Sequence, residues 1–117
     1  MSPHKKYSVA VTSSFTAEHW HDKTLSEAAH THNFKYEVYL SGPLNEEGYL
    51  VDFRALEECL NALSKSLEGK QLNDILPNPT TENLACWLFY EVKKTYPQIT
   101  KVTVREKENY FAAYEED

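Results

Sequence analysis

Phe34, Tyr36, Val38 and Leu40 alternate with Lys35, Glu37 and Tyr39. A two-residue period held that long marks a strand with one buried face, so His30 to Ser41 is predicted as a strand. Upstream, Tyr7, Val9 and Val11 share one parity with small or polar residues between them, which predicts a strand over Tyr7 to Phe15. The stretch joining the two, from Glu18 to Ala29, is irregular and polar. A sheet with one apolar face needs a cover, and the next segment provides it. Gly42-Pro43 and the run Asn45 to Gly48 break the chain, and from Asp52 the period becomes helical. Phe53, Leu56, Leu60, Leu63 and Leu67 form one stripe, with Asp52 as N-cap and Gly69 at the stop. A second helix starts near Pro79-Thr80-Thr81-Glu82. Thr80 caps it, Glu82 favours the positive end of its dipole, and Leu84, Trp87, Leu88 and Val92 make its apolar face before Tyr96-Pro97 ends it. Strands over Lys101 to Glu106 and Tyr110 to Tyr114 close the chain. The order ββααββ predicts an α+β domain, a four-stranded antiparallel sheet with two helices on one face.

The 117 residues make one domain, 1–117, with a single modest core. A formal charge of -6, with no patch of Lys and Arg, argues against a nucleic-acid partner. No apolar run approaches the roughly 18 residues of a membrane span, and the apolar stretch near the N-terminus is too short for a signal peptide. Cys59 and Cys86 have neither the spacing of a zinc knuckle nor the density of a secreted scaffold. A cytoplasmic, reducing setting is therefore expected, with both cysteines serving as small core or half-buried residues. Five Phe, eight Tyr and two Trp can fill a core, line a ligand slot or build a subunit interface.

Three features could carry chemistry. His30 and His32 lie two apart at the start of a strand, so both imidazoles can face one metal. His19 follows the first strand, and three neutral imidazoles with one open position suit a catalytic zinc. His21 shares the parity of His19 and leaves a second candidate; alternatively, the histidines lie on a solvated strand end. Glu106 shares the parity of Val102 and Val104, which turns a carboxylate inward. There it needs a partner or a ligand with paired N–H groups, unless the short strand leaves it in solvent beside Arg105 and Lys107. Free N–H groups at the start of the second helix, at Thr81 and Glu82, could hold an oxygen-rich ligand or be a plain helix cap.

Taken together, these segments resemble the 6-pyruvoyl-tetrahydropterin synthases and the related 6-carboxytetrahydropterin synthases. Phe15-Thr16-Ala17-Glu18-His19 is similar to the family's Phe-x-Ala-x-His, and His30-Thr31-His32-Asn33 to its His-Gly-His-Asn, with Thr31 for the usual Gly. Gly48-Tyr49-Leu50-Val51-Asp52-Phe53, Leu72-Asn73-Asp74, Pro79-Thr80-Thr81-Glu82-Asn83-Leu84-Ala85 and Val104-Arg105-Glu106 resemble further family segments in the same order. The resemblance implies a T-fold whose subunits join their sheets into a barrel, as a trimer or hexamer, with sites between subunits. It also implies zinc on His19, His30 and His32, and a pterin such as 7,8-dihydroneopterin triphosphate. Glu106 would grip the ring's N–H edge, and Thr81 and Glu82 would lie in the substrate site.

Two departures bear on the reaction. Where synthases of the family carry a cysteine base, this chain has Ser26, followed by Glu27. The resulting Glu-x-x-His-x-His resembles a subgroup in which Glu replaces Cys and the side chain is cleaved to 6-hydroxymethyl-dihydropterin, on a folate rather than a queuosine route. Further on, the family's Asp-His pair is replaced by Leu67-Glu68-Gly69-Lys70, without a histidine. Glu68 is in place to substitute for the Asp, and His21, Glu18 and Lys70 are the candidates for the His. The expectation is a zinc-dependent lyase with an altered proton relay, Glu27 and Ser26 being its catalytic candidates. The alternatives are a family member that binds pterin without turnover and an enzyme of this fold acting on another heterocycle.

Overall fold

The fold is that of a computed structural model, which describes residues 6–19 and 30–117 and, at His30, the backbone alone. Four strands run β1 (Tyr7–His19), β2 (His30–Gly42), β3 (Ile99–Lys107) and β4 (Tyr110–Glu115), and two helices, α1 (Phe53–Leu67) and α2 (Thr81–Lys93), lie between β2 and β3. A short 3-10 turn over Leu72–Asp74 joins the helices. The strands form one antiparallel sheet in chain order. The predicted fold class and element order are therefore those observed. Among the described residues, no helix is long and apolar enough to cross a membrane.

Strand β1 is longer than its prediction, which stopped at Phe15. Its parity continues: Phe15, Ala17 and His19 are all buried, and the register with β2 runs on through Ala17↔His32 to His19↔His30. A histidine at an apolar position hides this continuation from a hydropathy count. Beyond α1 the chain turns back along the same end of β1. Glu18 N–H donates to the Lys70 carbonyl at 2.9 Å and Gly69 N–H to the Thr16 carbonyl at 2.7 Å. Gly69 has φ +72°, a conformation that glycine adopts without the Cβ clash other residues meet. The strip thus covers the outer edge of β1 near its C-terminal end.

The core lies between the sheet and the helices. From β2 it takes Phe34, Tyr36, Val38 and Leu40; from β3, Val102 and Val104; from α1, Leu56, Leu60 and Leu67; from α2, Leu84, Leu88, Phe89 and Val92. The α1 stripe is rotated slightly from its prediction, since Phe53 is exposed, Leu63 half-buried and Ser64 buried. Both predicted N-caps form: Asp52 accepts from Arg54 N–H and Thr80 from Asn83 N–H. Cys59 and Cys86 are half-buried free thiols, and burial pushes that of Cys59 up.

One polar network crosses this core. Tyr36 Oη donates to the Leu60 carbonyl at 2.9 Å and lies 2.7 Å from Ser64 Oγ, which is 2.6 Å from Ser13 Oγ. Strands β1 and β2 are thereby fastened to α1 by directional bonds as well as by area. Burial raises the Tyr36 phenol above its ordinary 10.0, against a smaller lowering by the Ser64 and Ser13 hydroxyls. The folded chain therefore holds this proton to higher pH than the unfolded one. The resulting stability is whole below pH about 10 and is lost as pH rises through the folded value. Replacing Tyr36 by Phe is expected to cost about 1–3 kcal/mol near neutral pH, because Ser64 and the Leu60 carbonyl lose a partner. It is also expected to flatten the alkaline decline in stability. Urea unfolding of both proteins between pH 7 and 11 measures the two effects.

Candidate functional site

At the C-terminal end of β1, the inward parity that carries Phe15 and Ala17 next delivers His19, which is fully buried. Its Nδ1 lies 3.0 Å from the carbonyl of Pro79, the buried residue just before the α2 cap. A carbonyl only accepts, so Nδ1 carries a hydrogen, and Nε2 is the ring atom turned toward the rest of the site. His32, two residues in from the start of β2, brings its ring centroid to 5.2 Å from that of His19, at an interplanar angle of 82°. Both rings pack edgewise on the buried Phe34, at centroid distances of 5.4 and 5.9 Å.

The third member comes from β3. The β3–β4 register steps from Arg105↔Phe111 to Lys107↔Tyr110, so Glu106 is the extra residue of a bulge. Bulges re-aim side chains, and here the carboxylate turns under the sheet end. Glu106 Oε1 lies 3.2 Å from His19 Nε2 and 3.2 Å from His32 Nε2. Its Oε2 accepts from the Thr81 hydroxyl at 3.2 Å, which places the carboxylate at the first residue of α2 and the positive end of that helix.

Among the described residues, His19, His32 and Glu106 are the group of ligand atoms that converge, all within 4.8 Å of one another. Imidazole nitrogen and carboxylate oxygen are donor types that zinc accepts. The carbonyl bond on the far nitrogen of His19 is the outer support that metal-binding imidazoles usually have. The donor set therefore fits a divalent cation.

The predicted residues are distributed as follows. His19, His32, Glu106 and Thr81 come together. His30 is the register partner of His19, and its side chain lies outside the described residues. Ser26, Glu27 and His21 also lie outside them. Glu82 is exposed in the first turn of α2 and is not one of the converging ligands. Glu68, the candidate for the family's Asp, accepts from Thr16 N–H at 3.1 Å as part of the strip along β1, while Glu18 and Lys70 are exposed. Sequence reading missed Pro79, whose contribution is a backbone carbonyl and leaves no trace in residue type.

Comparison with known proteins decides the kinship. A family model described as 6-pyruvoyl tetrahydropterin synthase matches residues 8–117. The chain belongs to the 6-pyruvoyl tetrahydropterin synthase family. It is 34% identical over 97 residues to a dihydroneopterin monophosphate aldolase of Pyrococcus furiosus, covering 83% of this chain and 84% of that one. With an Archaeoglobus fulgidus protein put forward as a 6-carboxy-5,6,7,8-tetrahydropterin synthase it shares 32% over 107 residues, 89% of this chain and 91% of that one. Among solved structures, Caenorhabditis elegans 6-pyruvoyl tetrahydropterin synthase superposes with a TM-score of 0.84 at 21% identity over the whole of both chains. A Plasmodium vivax 6-pyruvoyltetrahydropterin synthase whose catalytic residue, a glutamate, is replaced by alanine gives 0.80 at 18% identity, over 97% of this chain and 99% of that one. These neighbours share the T-fold of the family.

Because the Pro79 carbonyl sits directly before the Thr80 cap, loosening the start of α2 should disturb His19. Replacing Thr80 by Ala is expected to cost about 1 kcal/mol of stability and to broaden the His19 ring resonances. Thermal unfolding and histidine-detected NMR on the same sample check the pair.

Proposed function

We propose that the chain is a metal-dependent lyase that cleaves the hydroxylated side chain of a dihydroneopterin or one of its phosphates, leaving 6-hydroxymethyl-dihydropterin. The convergence of His19, His32 and Glu106 at one sheet end carries this reading, and the 34% identity to a dihydroneopterin monophosphate aldolase supports it. His19, His30 and His32 would hold zinc, which when bound supplies an electrophile that polarises side-chain oxygens.

The rest falls to this chain's own groups. Glu106 presents a carboxylate that can accept two parallel hydrogen bonds from the ring N–H edge of a pterin, with Thr81 fixing its second oxygen. Thr81 and Glu82, in the first turn of α2, would lie beside the bound substrate. Cleavage requires a base to remove the proton of the second side-chain hydroxyl. The bond between the first and second side-chain carbons then breaks, the second becomes an aldehyde, and the electron pair passes into the conjugated ring. A proton returned to the first carbon completes the hydroxymethyl group. Glu27 is the residue we assign to that proton transfer, with Ser26 beside it to donate a hydrogen bond. A carboxylate can serve at both steps if its surroundings bring its proton affinity near that of the medium. A glutamate is the catalytic residue in the Plasmodium vivax neighbour, so the fold accommodates one in such a role.

Assembly completes the reading. The polar face of the sheet, with Lys35, Glu37, Lys101, Thr103 and Arg105, and the outer edge of β4, which has no strand partner among the described residues, suit closure of several sheets into a barrel, a homotrimer or a hexamer of two such rings.

Incubating zinc-loaded protein with 7,8-dihydroneopterin, its monophosphate and its triphosphate, and identifying products by mass spectrometry, tests the proposal. The expected product is 6-hydroxymethyl-dihydropterin with an equimolar two-carbon aldehyde, and Glu27→Gln is expected to lower the rate by about 100-fold or more. A 6-pyruvoyl or 6-carboxy product, or none from any of the three, overturns the lyase assignment.

A further inference from the structure

Lys35 on β2 and Arg105 on β3 stand directly opposite each other in the sheet, and both are exposed on its polar face. Like charges placed directly across two strands destabilise the pairing. Among the described residues, neither cation forms an ion pair with a carboxylate that would relieve this. Two carboxylates of the neighbourhood are engaged elsewhere. Glu37 Oε1 accepts from the hydroxyls of Thr103 at 2.8 Å and Tyr39 at 3.3 Å, and Glu106 turns to His19, His32 and Thr81. The depression beyond the pair adds Lys107 and Glu108, one charge of each sign. In a chain of formal charge -6, two adjoining cations without a carboxylate between them are the reverse of what composition favours.

The surroundings suit an anion. The register carries on across the sheet, so that Ser14, Lys35, Arg105 and Phe111 form one row over all four strands. The Arg105 guanidinium lies over the Phe111 ring, 4.8 Å from its centroid, which gives a use to a phenylalanine that is 62% exposed. A guanidinium laid on a ring keeps the N–H groups of its edge free for the two parallel bonds that a phosphate accepts. Beside the pair the face sinks into a hollow of about 500 Å³, lined by Thr12, Lys35, Glu37, Lys101, Thr103 and Arg105. Lys101 stands two rows further on, opposite Glu115 and over the Tyr39 ring. We infer that Lys35 and Arg105 form a binding site for a phosphate group, Arg105 supplying the fork and Lys35 the second charge. His19 and His32 lie on the opposite face of the sheet, packed on the core residue Phe34. The phosphate therefore belongs to a molecule other than one held by the histidines of the same chain, either inorganic phosphate or an organic phosphate ester.

The test titrates the full chain with inorganic phosphate and with pyrophosphate at fixed ionic strength, chloride making up the difference. Binding is read from the Arg105 side-chain N–H resonance and from the unfolding temperature, in the wild type, Lys35→Gln, Arg105→Gln and Lys101→Gln. Either anion is expected to shift that resonance and to raise the wild-type unfolding temperature. Lys35→Gln and Arg105→Gln are expected to bind about 10-fold or more weakly, each having lost a charged partner of the anion. Lys101→Gln removes the same charge from the same face two rows away and is expected to bind within about twofold of the wild type. Without added anion, Lys35→Gln is expected to unfold at or above the wild-type temperature, because a repulsion has gone, so its weaker binding is not a folding defect. Dihydroneopterin monophosphate distinguishes the sources: tighter binding than inorganic phosphate assigns the site to an ester, equal binding to the free anion, and either supports it. No shift in the wild type overturns the inference. So does binding that persists in Lys35→Gln and Arg105→Gln, as an anion held at the histidine end would, or equal weakening by Lys101→Gln, which would reduce the effect to diffuse charge.

Discussion

The hydrogen bond from His19 Nδ1 to the Pro79 carbonyl is the tie on which the site depends. It joins the end of β1 to the loop that starts α2, two parts of the chain 60 residues apart. It also decides which nitrogen of the ring is left for other work. Because the ring is fully buried, a tautomer without a hydrogen on Nδ1 would deprive the Pro79 carbonyl of its donor inside the protein, at about 1–3 kcal/mol. The fold thus fixes one end of one side chain, and the relation of His32 and Glu106 to it follows. Phe34 sets both imidazoles edge-on against an apolar wall, where interactions among charges are less screened than in water.

Much of this was legible from the residues. The two-residue period of β2 and the leucine stripe of α1 announce their elements, and Asp52 and Thr80 mark where the helices start. The inward turn of Glu106 was legible too, because Val102 and Val104 share its parity. What escaped was long-range. Nothing local says that β1 runs past Phe15, since Ala17 and His19 read as a small residue and a polar one until the sheet is seen to bury them. Pro79 escaped for a different reason: its contribution is a main-chain oxygen, which any residue could supply. The bulge at Glu106 depends on how β4 returns, and two registers for so short a hairpin look alike in sequence.

Local context also separates residues of similar chemistry. Glu68 and Glu106 are both carboxylates near the end of β1. Glu68 caps a main-chain N–H along the strip that covers β1, whereas Glu106 faces two imidazoles. Where the resemblance implied an acid-and-histidine pair, the segment Glu68 to Gln71 lies along a sheet edge. The C-terminal residues show another local solution. Glu116 accepts from the hydroxyls of Tyr90 and Tyr114 and pairs with Lys93 at 3.3 Å, which fastens the chain end beyond β4 to α2. Those hydroxyls, Tyr114 first, hold the Glu116 carboxyl below its usual range.

The return of the chain over Glu68 to Gln71 also limits what can dock beside β1. Main-chain groups at Thr16 and Glu18 are already engaged by this segment, so a foreign strand laid against that margin runs into a doorstop. Among the described residues, the stretch toward Tyr7 carries no such cover. A slip toward His19 is blocked by the chain itself, and that end of the sheet is kept clear of stray pairing.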